Sequence, residues 1–223
     1  MGTIIVKYLI FAYIYDLKRV IDMTNKTKFK TPLIILMLSG FLIVSDAIAD
    51  KAIFAGGCFW CMESDFEKLE GVTNVISGFT GGKLKNPTYR GNHKGHYEAI
   101  EVTYNPEKIS YQDLLDHFWV NIDPFDARGQ FCDKGFSYLS AIFVANDKEK
   151  MLAEESRKKV VEQFPGKKVV TPVLKTSIFY PIKGEENYHQ NYAKNNPVRY
   201  NVYRWNCGRD QRLKQIWGDK ATH

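Results

Sequence analysis

Ala55-Gly56-Gly57-Cys58-Phe59-Trp60-Cys61-Met62-Glu63 is the stretch that organises the rest of the chain. Ala52, Ile53 and Phe54 before it read as a short buried strand. After it, Trp60, Cys61, Phe66 and Leu69 keep helical spacing until Gly71 stops the pattern. Gly56 and Gly57 are then the turn from strand to helix, and Cys58 stands at or just inside a helix N-terminus. Unpaired N–H groups and the positive end of the helix dipole favour a thiolate there. A small buried cysteine in a tight turn is the commoner fate of an isolated Cys. Two glycines before this one and two large aromatics after it favour a reactive sulfur beside an apolar wall.

The chain has 223 residues, 44% of them hydrophobic, enough to bury a core of one domain with appendages. Residues 1–49 carry six Lys/Arg and three Asp, half of the net charge of +6. The remaining +3 is too mild to argue for nucleic acid, and no basic run interleaves with aromatics. All four cysteines, Cys58, Cys61, Cys132 and Cys207, follow residue 49. Four in a chain of this length do not make a disulfide scaffold and point to chemistry.

From Met23 the N-terminal text reads as a secretory signal. Lys26, Lys28 and Lys30 form a basic region, Pro32 to Val44 an apolar one, and Ala47-Ile48-Ala49 an A-x-A cleavage site. Residues 1–49 are thus expected to be an N-terminal extension plus a signal, with Asp50 first in the mature protein and a secreted or periplasmic location. An uncleaved anchor would use the same apolar region.

The body alternates legibly. A strand at 51–55 and a helix at 58–70 lead to a strand at Val72–Phe79, then a Gly/Asn/Pro-rich loop to Gly95. Glu98–Tyr104 alternates as a half-buried strand ended by Asn105-Pro106. Ser110 caps a helix with an apolar stripe of Leu114, Leu115, Phe118 and Trp119. Residues 120–137 read as loop, Tyr138–Ala145 as a strand, Asp147–Phe164 as a charged amphipathic helix and Lys167–Lys175 as a strand. This order predicts an α+β fold with a ferredoxin-like (split βαβ) core. The last forty residues, rich in Tyr, Asn and Gly with one helical piece at Glu185–Lys194, predict a long coil-rich C-terminal segment. The expected division is 50–206 for the catalytic domain and 207–223 for a tail.

Separately, the remaining polar motifs are weak: Glu98 alone would be a solvated strand residue, and Tyr89 a surface turn residue. Together, Gly57-Cys58-Phe59-Trp60, Asn86-Pro87-Thr88-Tyr89, Gly95-His96-x-Glu98 and Asp133-x-Gly135-x-x-Tyr138-x-Ser140 resemble, in order, the motifs of the A-type peptide methionine sulfoxide reductases. The likeness runs through Tyr188-His189-Gln190-x-Tyr192 and covers roughly residues 51–205.

The resemblance implies that Cys58 attacks the sulfur of a methionine S-sulfoxide, protein-bound or free. Glu98 gives a proton to the departing oxygen, which an apolar site raising its pKa would favour. Tyr89 and Tyr138 hydrogen-bond that oxygen, Asp133 orders water, and Phe59 and Trp60 receive the methyl group. Cys58 is left as a sulfenic acid, which a second thiol converts to a disulfide reduced by a thioredoxin-like dithiol. No bound cofactor or metal is expected, and a monomer is. Cys207, glycine-flanked and able to swing, ranks first as the resolving thiol; Cys132, next to Asp133, and Cys61 are the alternatives. Ser137-Tyr138-Leu139-Ser140 departs from the family's Gln-Tyr-Arg-Ser, and Gly78-Phe79-Thr80 lacks its usual tyrosine; both bear on substrate preference more than on the reaction.

Two rival classes remain. Cys58-Phe59-Trp60-Cys61 is a C-x-x-C pair, as in a thiol–disulfide oxidoreductase, but that reading leaves Glu98, Tyr89 and Tyr138 idle. A metal or structural module would need a second ligand pair, and none of the five histidines is spaced to supply one.

Overall fold

The computed structural model describes residues 49–221. The expected signal, from Met23 to its cleavage after Ala49, lies outside the described residues except for Ala49 itself. Among the described residues no helix is long and apolar enough to cross a membrane.

The stretch around Cys58 folds as a strand, a two-glycine turn and a helix: β1 is Asp50–Gly56 and α1 is Phe59–Phe66. Successive side chains of β1 alternate between two cores. Ala52 and Phe54 enter the larger one, Ile53 and Ala55 a smaller one on the opposite face. Phe54, fully buried, stacks on Phe66 and Phe118, both with ring centroids 5.2 Å away. Burying such a side chain is worth roughly 2–3 kcal/mol. α1 is shorter than the periodicity predicts, because the chain tightens after Phe66: Leu69 N–H bonds to the Phe66 carbonyl and Val72 N–H to that of Leu69.

β2 (Val72–Thr80) and β3 (Tyr97–Tyr104) follow, then α2 (Tyr111–Val120). Ser110 closes a capping box at α2: its N–H donates to Asp113 Oδ2 at 2.9 Å, and its hydroxyl accepts from Asp113 N–H at 3.2 Å. The expected loop 120–137 contains a minimal hairpin, β4 (Gly129–Gln130) and β5 (Asp133–Lys134), and then a 3₁₀ turn at Phe136–Tyr138. Tyr138 therefore sits in a turn before the strand β6 (Ser140–Val144), not within it. α3 spans Asp147–Gln163. Of the strand expected at 167–175 only β7 (Val173–Lys175) pairs, since Val170 gives its N–H to the Pro124 carbonyl and Pro172 has none to give. β8 is Tyr180–Pro181.

The sheet order is β7-β6-β1-β3-β2-β8, antiparallel throughout except for the β6–β7 pair. With its helices the chain is α+β, and β1 lies in the interior of the sheet.

The C-terminal segment corrects the coil-rich expectation. A 3₁₀ turn (Gly184–His189) and α4 (Tyr192–Asn195) replace the single helical piece, interrupted where Asn191 is left-handed. Beyond them stand two helices, α5 (Pro197–Asn206) and α6 (Arg209–Trp217), joined at Gly208. Pro197 opens α5 at a position where its missing N–H costs nothing. Arg209, Leu213, Ile216 and Trp217 are all buried and hold an i, i+4, i+7, i+8 stripe. The abundant charge hid that stripe, because its first member is an arginine. The Arg209 guanidinium is nearly inaccessible and donates to the carbonyls of Asn121 (2.7 Å) and Gly56 (3.3 Å).

Candidate active site

Cys58 is the N-cap of α1, its carbonyl accepting from Cys61 N–H (3.1 Å) and Met62 N–H (3.3 Å). Both glycines before it are sterically required. Gly57 has φ +86°, and a Cβ there would meet Gln130 Cβ at 2.6 Å; a Cβ on Gly56 would meet Met62 Sδ at 2.4 Å.

The helix start does not serve the sulfur as the sequence suggests. Phe59 N–H, the first of α1, donates to Glu98 Oε2 at 3.2 Å. Burial, a hydrogen bond with the Cys61 thiol and the charge of Glu98 hold the Cys58 thiol well above its usual range. Cys61, also buried, is pushed down to about 7, first by its hydrogen bond with Cys58 and further by Arg209 and Arg204.

Glu98 stands on β3 two residues before Ile100, which pairs with Phe54 of β1. That register brings its carboxyl beside the turn where the cysteine emerges. Glu98 is 1% exposed and its Oε1 has no partner among the described residues. Burial pushes its pKa up to about 8, with Asp133 and Cys61 adding to the rise and the Phe59 N–H opposing it. It is a carboxylic acid at neutral pH, with a free oxygen.

Tyr89 and Tyr138 approach from different elements. The carboxylate of Glu186 takes the backbone N–H groups of Tyr89 and Arg90, both at 2.8 Å, and so pins the loop after β2. Burial and then the charge of Glu98 raise both phenols, Tyr89 to about 12. The phenols thus stay protonated, as donors within the field of the Glu98 carboxyl. Phe59 is buried with its ring 5.9 Å from that of Tyr89. Trp60 stacks on Tyr192 at 3.8 Å and donates its indole N–H to His189 Nδ1 at 3.0 Å. Sulfur, carboxylic acid, phenols and aromatic wall come together from four segments of chain. Such a set can bind an apolar group while a nucleophile and a proton donor act on a polar atom attached to it.

The other cysteines are placed differently. Cys207 does not meet Cys58; it forms a disulfide with Cys132, and the Cys132 side is exposed. Asp133 lies against that disulfide, 3.7 Å from Cys132 Sγ and 3.9 Å from Cys207 Sγ, and accepts from the Tyr203 hydroxyl at 2.6 Å. Cys132, Asp133 and Cys207 lie close enough to share an ion, but with the sulfurs joined only one carboxylate remains as a ligand. Tyr203 was not singled out in the sequence. Its one signal is position, a single helical turn before Cys207. His189 was legible only inside a motif, without a role.

The family described as peptide methionine sulfoxide reductase matches residues 50–221. The chain is 48% identical over 172 residues to peptide methionine sulfoxide reductase MsrA 2 of Caulobacter vibrioides, covering 76% of this chain and 86% of that protein. It is 46% identical over 173 residues to MsrA of Bacillus subtilis, covering 76% and 96%. Among solved structures it resembles reduced Mxr1 of Saccharomyces cerevisiae, with TM-score 0.61, 25% identity, 67% of this chain and 86% of that one. Methionine sulfoxide reductase A of Corynebacterium diphtheriae matches with TM-score 0.59, 27% identity and coverage of 67% and 76%. With the site geometry these matches agree on one conclusion: the chain belongs to the peptide methionine sulfoxide reductase family.

Proposed function

We propose that this protein reduces methionine S-sulfoxide, free or in oxidised proteins and peptides, through Cys58. The observation that carries the reading is Glu98: buried, protonated at neutral pH, held by Phe59 N–H beside Cys58 and with one oxygen free. Cys58 sulfur attacks the sulfoxide sulfur while Glu98 gives its proton to the oxygen, to which Tyr89 and Tyr138 donate hydrogen bonds. The substrate's methyl group packs on Phe59 and Trp60. Methionine leaves and Cys58 carries the hydroxyl as a sulfenic acid.

The resolving thiol is Cys207. It condenses with the sulfenic acid, forming a Cys58–Cys207 disulfide and releasing water. Cys132 thiol then attacks Cys207, giving the Cys132–Cys207 disulfide and freeing Cys58 as a thiol. The exposed Cys132 side supports delivery of electrons by an external thioredoxin-like dithiol.

Single-turnover reduction of a methionine S-sulfoxide peptide by fully reduced protein tests this scheme. With one equivalent of peptide, one methionine per chain should form, two thiols should disappear, and peptide mapping should find Cys132 joined to Cys207. Methionine formation with only one thiol lost would place the resolving thiol outside the chain. A second reading, a C-x-x-C oxidoreductase, draws on the shared hydrogen bond of Cys58 and Cys61. It requires Cys61→Ser to abolish all activity, whereas the sulfoxide scheme retains the first turnover.

The strand order of the four long strands, β6-β1-β3-β2 with antiparallel neighbours, supports a ferredoxin-like core. We further propose export as a monomer, with cleavage after Ala49. Support comes from the family match, which begins at Asp50, and sequencing of the mature N-terminus decides it.

A further inference from the structure

Tyr203 lies on α5, and its carbonyl accepts from Cys207 N–H at 2.9 Å. Its phenol stands between two groups of the site. The hydroxyl donates to Asp133 Oδ2 at 2.6 Å, and the side chain packs against the buried cluster that holds the Cys58 sulfur. An edge-on contact with Trp60, centroids 5.8 Å apart, fixes the ring. Cys58, Tyr203 and Asp133 therefore stand in one line of contacts, closed on the Asp133 side by a hydrogen bond. We propose that this line is the exit for the Cys58 thiol proton: as the sulfur attacks, S–H passes its proton to Tyr203 Oη, and the phenol passes its own to Asp133 Oδ2.

The step balances. Cys58 loses the proton that Asp133 gains, Tyr203 ends neutral, and no electrons travel along the line. Glu98 separately gives its proton to the sulfoxide oxygen. The inference rests on the reading of Cys58 as the sulfoxide nucleophile and adds the acceptor that reading lacks. As N-cap of α1, Cys58 makes no side-chain hydrogen bond to the helix N–H groups, and the first of them, Phe59 N–H, is given to Glu98, the acid of the proposed reaction.

Facing Cys58 are Cys61 from α1, Glu98 from β3 and Tyr203 from α5. Facing Asp133 are Tyr203, the Arg209 guanidinium of α6 and its neighbour Lys134. A proton on Cys61 would stay in the buried pocket, whereas Asp133 is half-buried and followed by the exposed Lys134. It can return the proton to water.

The test is the pH profile of single-turnover methionine formation in wild type, Tyr203→Phe, Asp133→Asn and Cys61→Ser. Wild type should be level across neutral pH. Tyr203→Phe and Asp133→Asn should each be slower at pH 6–7 by roughly 10²-fold, the usual reach of a general base. Below about pH 8, where Glu98 still holds its proton, they should regain rate by about tenfold per pH unit as hydroxide takes over the thiol proton. Cys61→Ser, whatever its effect on the overall rate, should show no such loss confined to low pH and no tenfold recovery per pH unit. A Tyr203→Phe or Asp133→Asn enzyme with the wild-type profile, or slower by one constant factor at every pH, overturns the proposal. So does a profile that changes only in Cys61→Ser. Should Tyr203→Phe fail to fold, Asp133→Asn, isosteric and still able to accept from the phenol, decides alone. If wild type forms no methionine at any pH, the reading of the reaction fails instead.

Discussion

At the scale of single residues the site works by setting protonation states apart. In the proposed mechanism Glu98 must hold a proton at neutral pH, and burial among apolar strands pushes it up to about 8 against the pull of one N–H donor. The direction matters for activity. The working form is protonated, so turnover is expected to fall as pH rises through about 8. Glu98→Gln keeps the hydrogen bond from Phe59 N–H but has no proton to give. Its kcat should drop by roughly 10²- to 10⁴-fold, and its profile should lose the alkaline fall. Initial rates between pH 6 and 10 measure both effects. An unchanged alkaline limb in Glu98→Gln would assign that limb to another group.

At the scale of elements the chain was legible where hydrophobic period and turn chemistry agreed. The Ala52–Phe54 strand, the Gly-Gly turn, the helix capped by Ser110 and the charged helix after Asn146 all carry their signals within a few residues. Ser110→Ala should cost about 1 kcal/mol, read as a lower urea midpoint with an unchanged slope. The same reading failed after residue 195, because what holds α6 is not a local pattern. Arg209 occupies a core position by satisfying the carbonyls of Gly56 and Asn121, residues 153 and 88 positions away in the chain, and nothing near it in sequence announces them. Tyr203 and the Cys132–Cys207 pairing were hidden for the same reason: the partners meet only once α5 and the β4–β5 hairpin are in place. Arg209→Ala should therefore cost about 3–5 kcal/mol, the penalty for leaving buried partners uncompensated. Thermal melting should show it, and activity should fall with it, since the Gly56 carbonyl it holds precedes Cys58 by two residues.

At the scale of the whole molecule, catalysis and stability are coupled through the Cys132–Cys207 disulfide. The bond closes a loop across a sequence separation of 75, enclosing β5, β6, α3, β7, β8, α4 and α5. By restricting the unfolded chain, a loop of this size stabilises the fold by roughly 2–4 kcal/mol. The proposed cycle opens and closes that loop at every turnover, so the reduced enzyme that meets the substrate is the less stable form. It becomes more stable as it is oxidised. Oxidised protein should accordingly unfold at a higher urea concentration than the same protein in excess dithiothreitol. Cys207→Ser should unfold at the lower midpoint whether or not the reductant is present. Coincident midpoints for oxidised and reduced wild type would mean that α5 and α6 hold the loop shut without the bond. The C-terminal helices would then stay packed through the cycle, and Cys207 could not travel to the Cys58 sulfenic acid as the scheme requires.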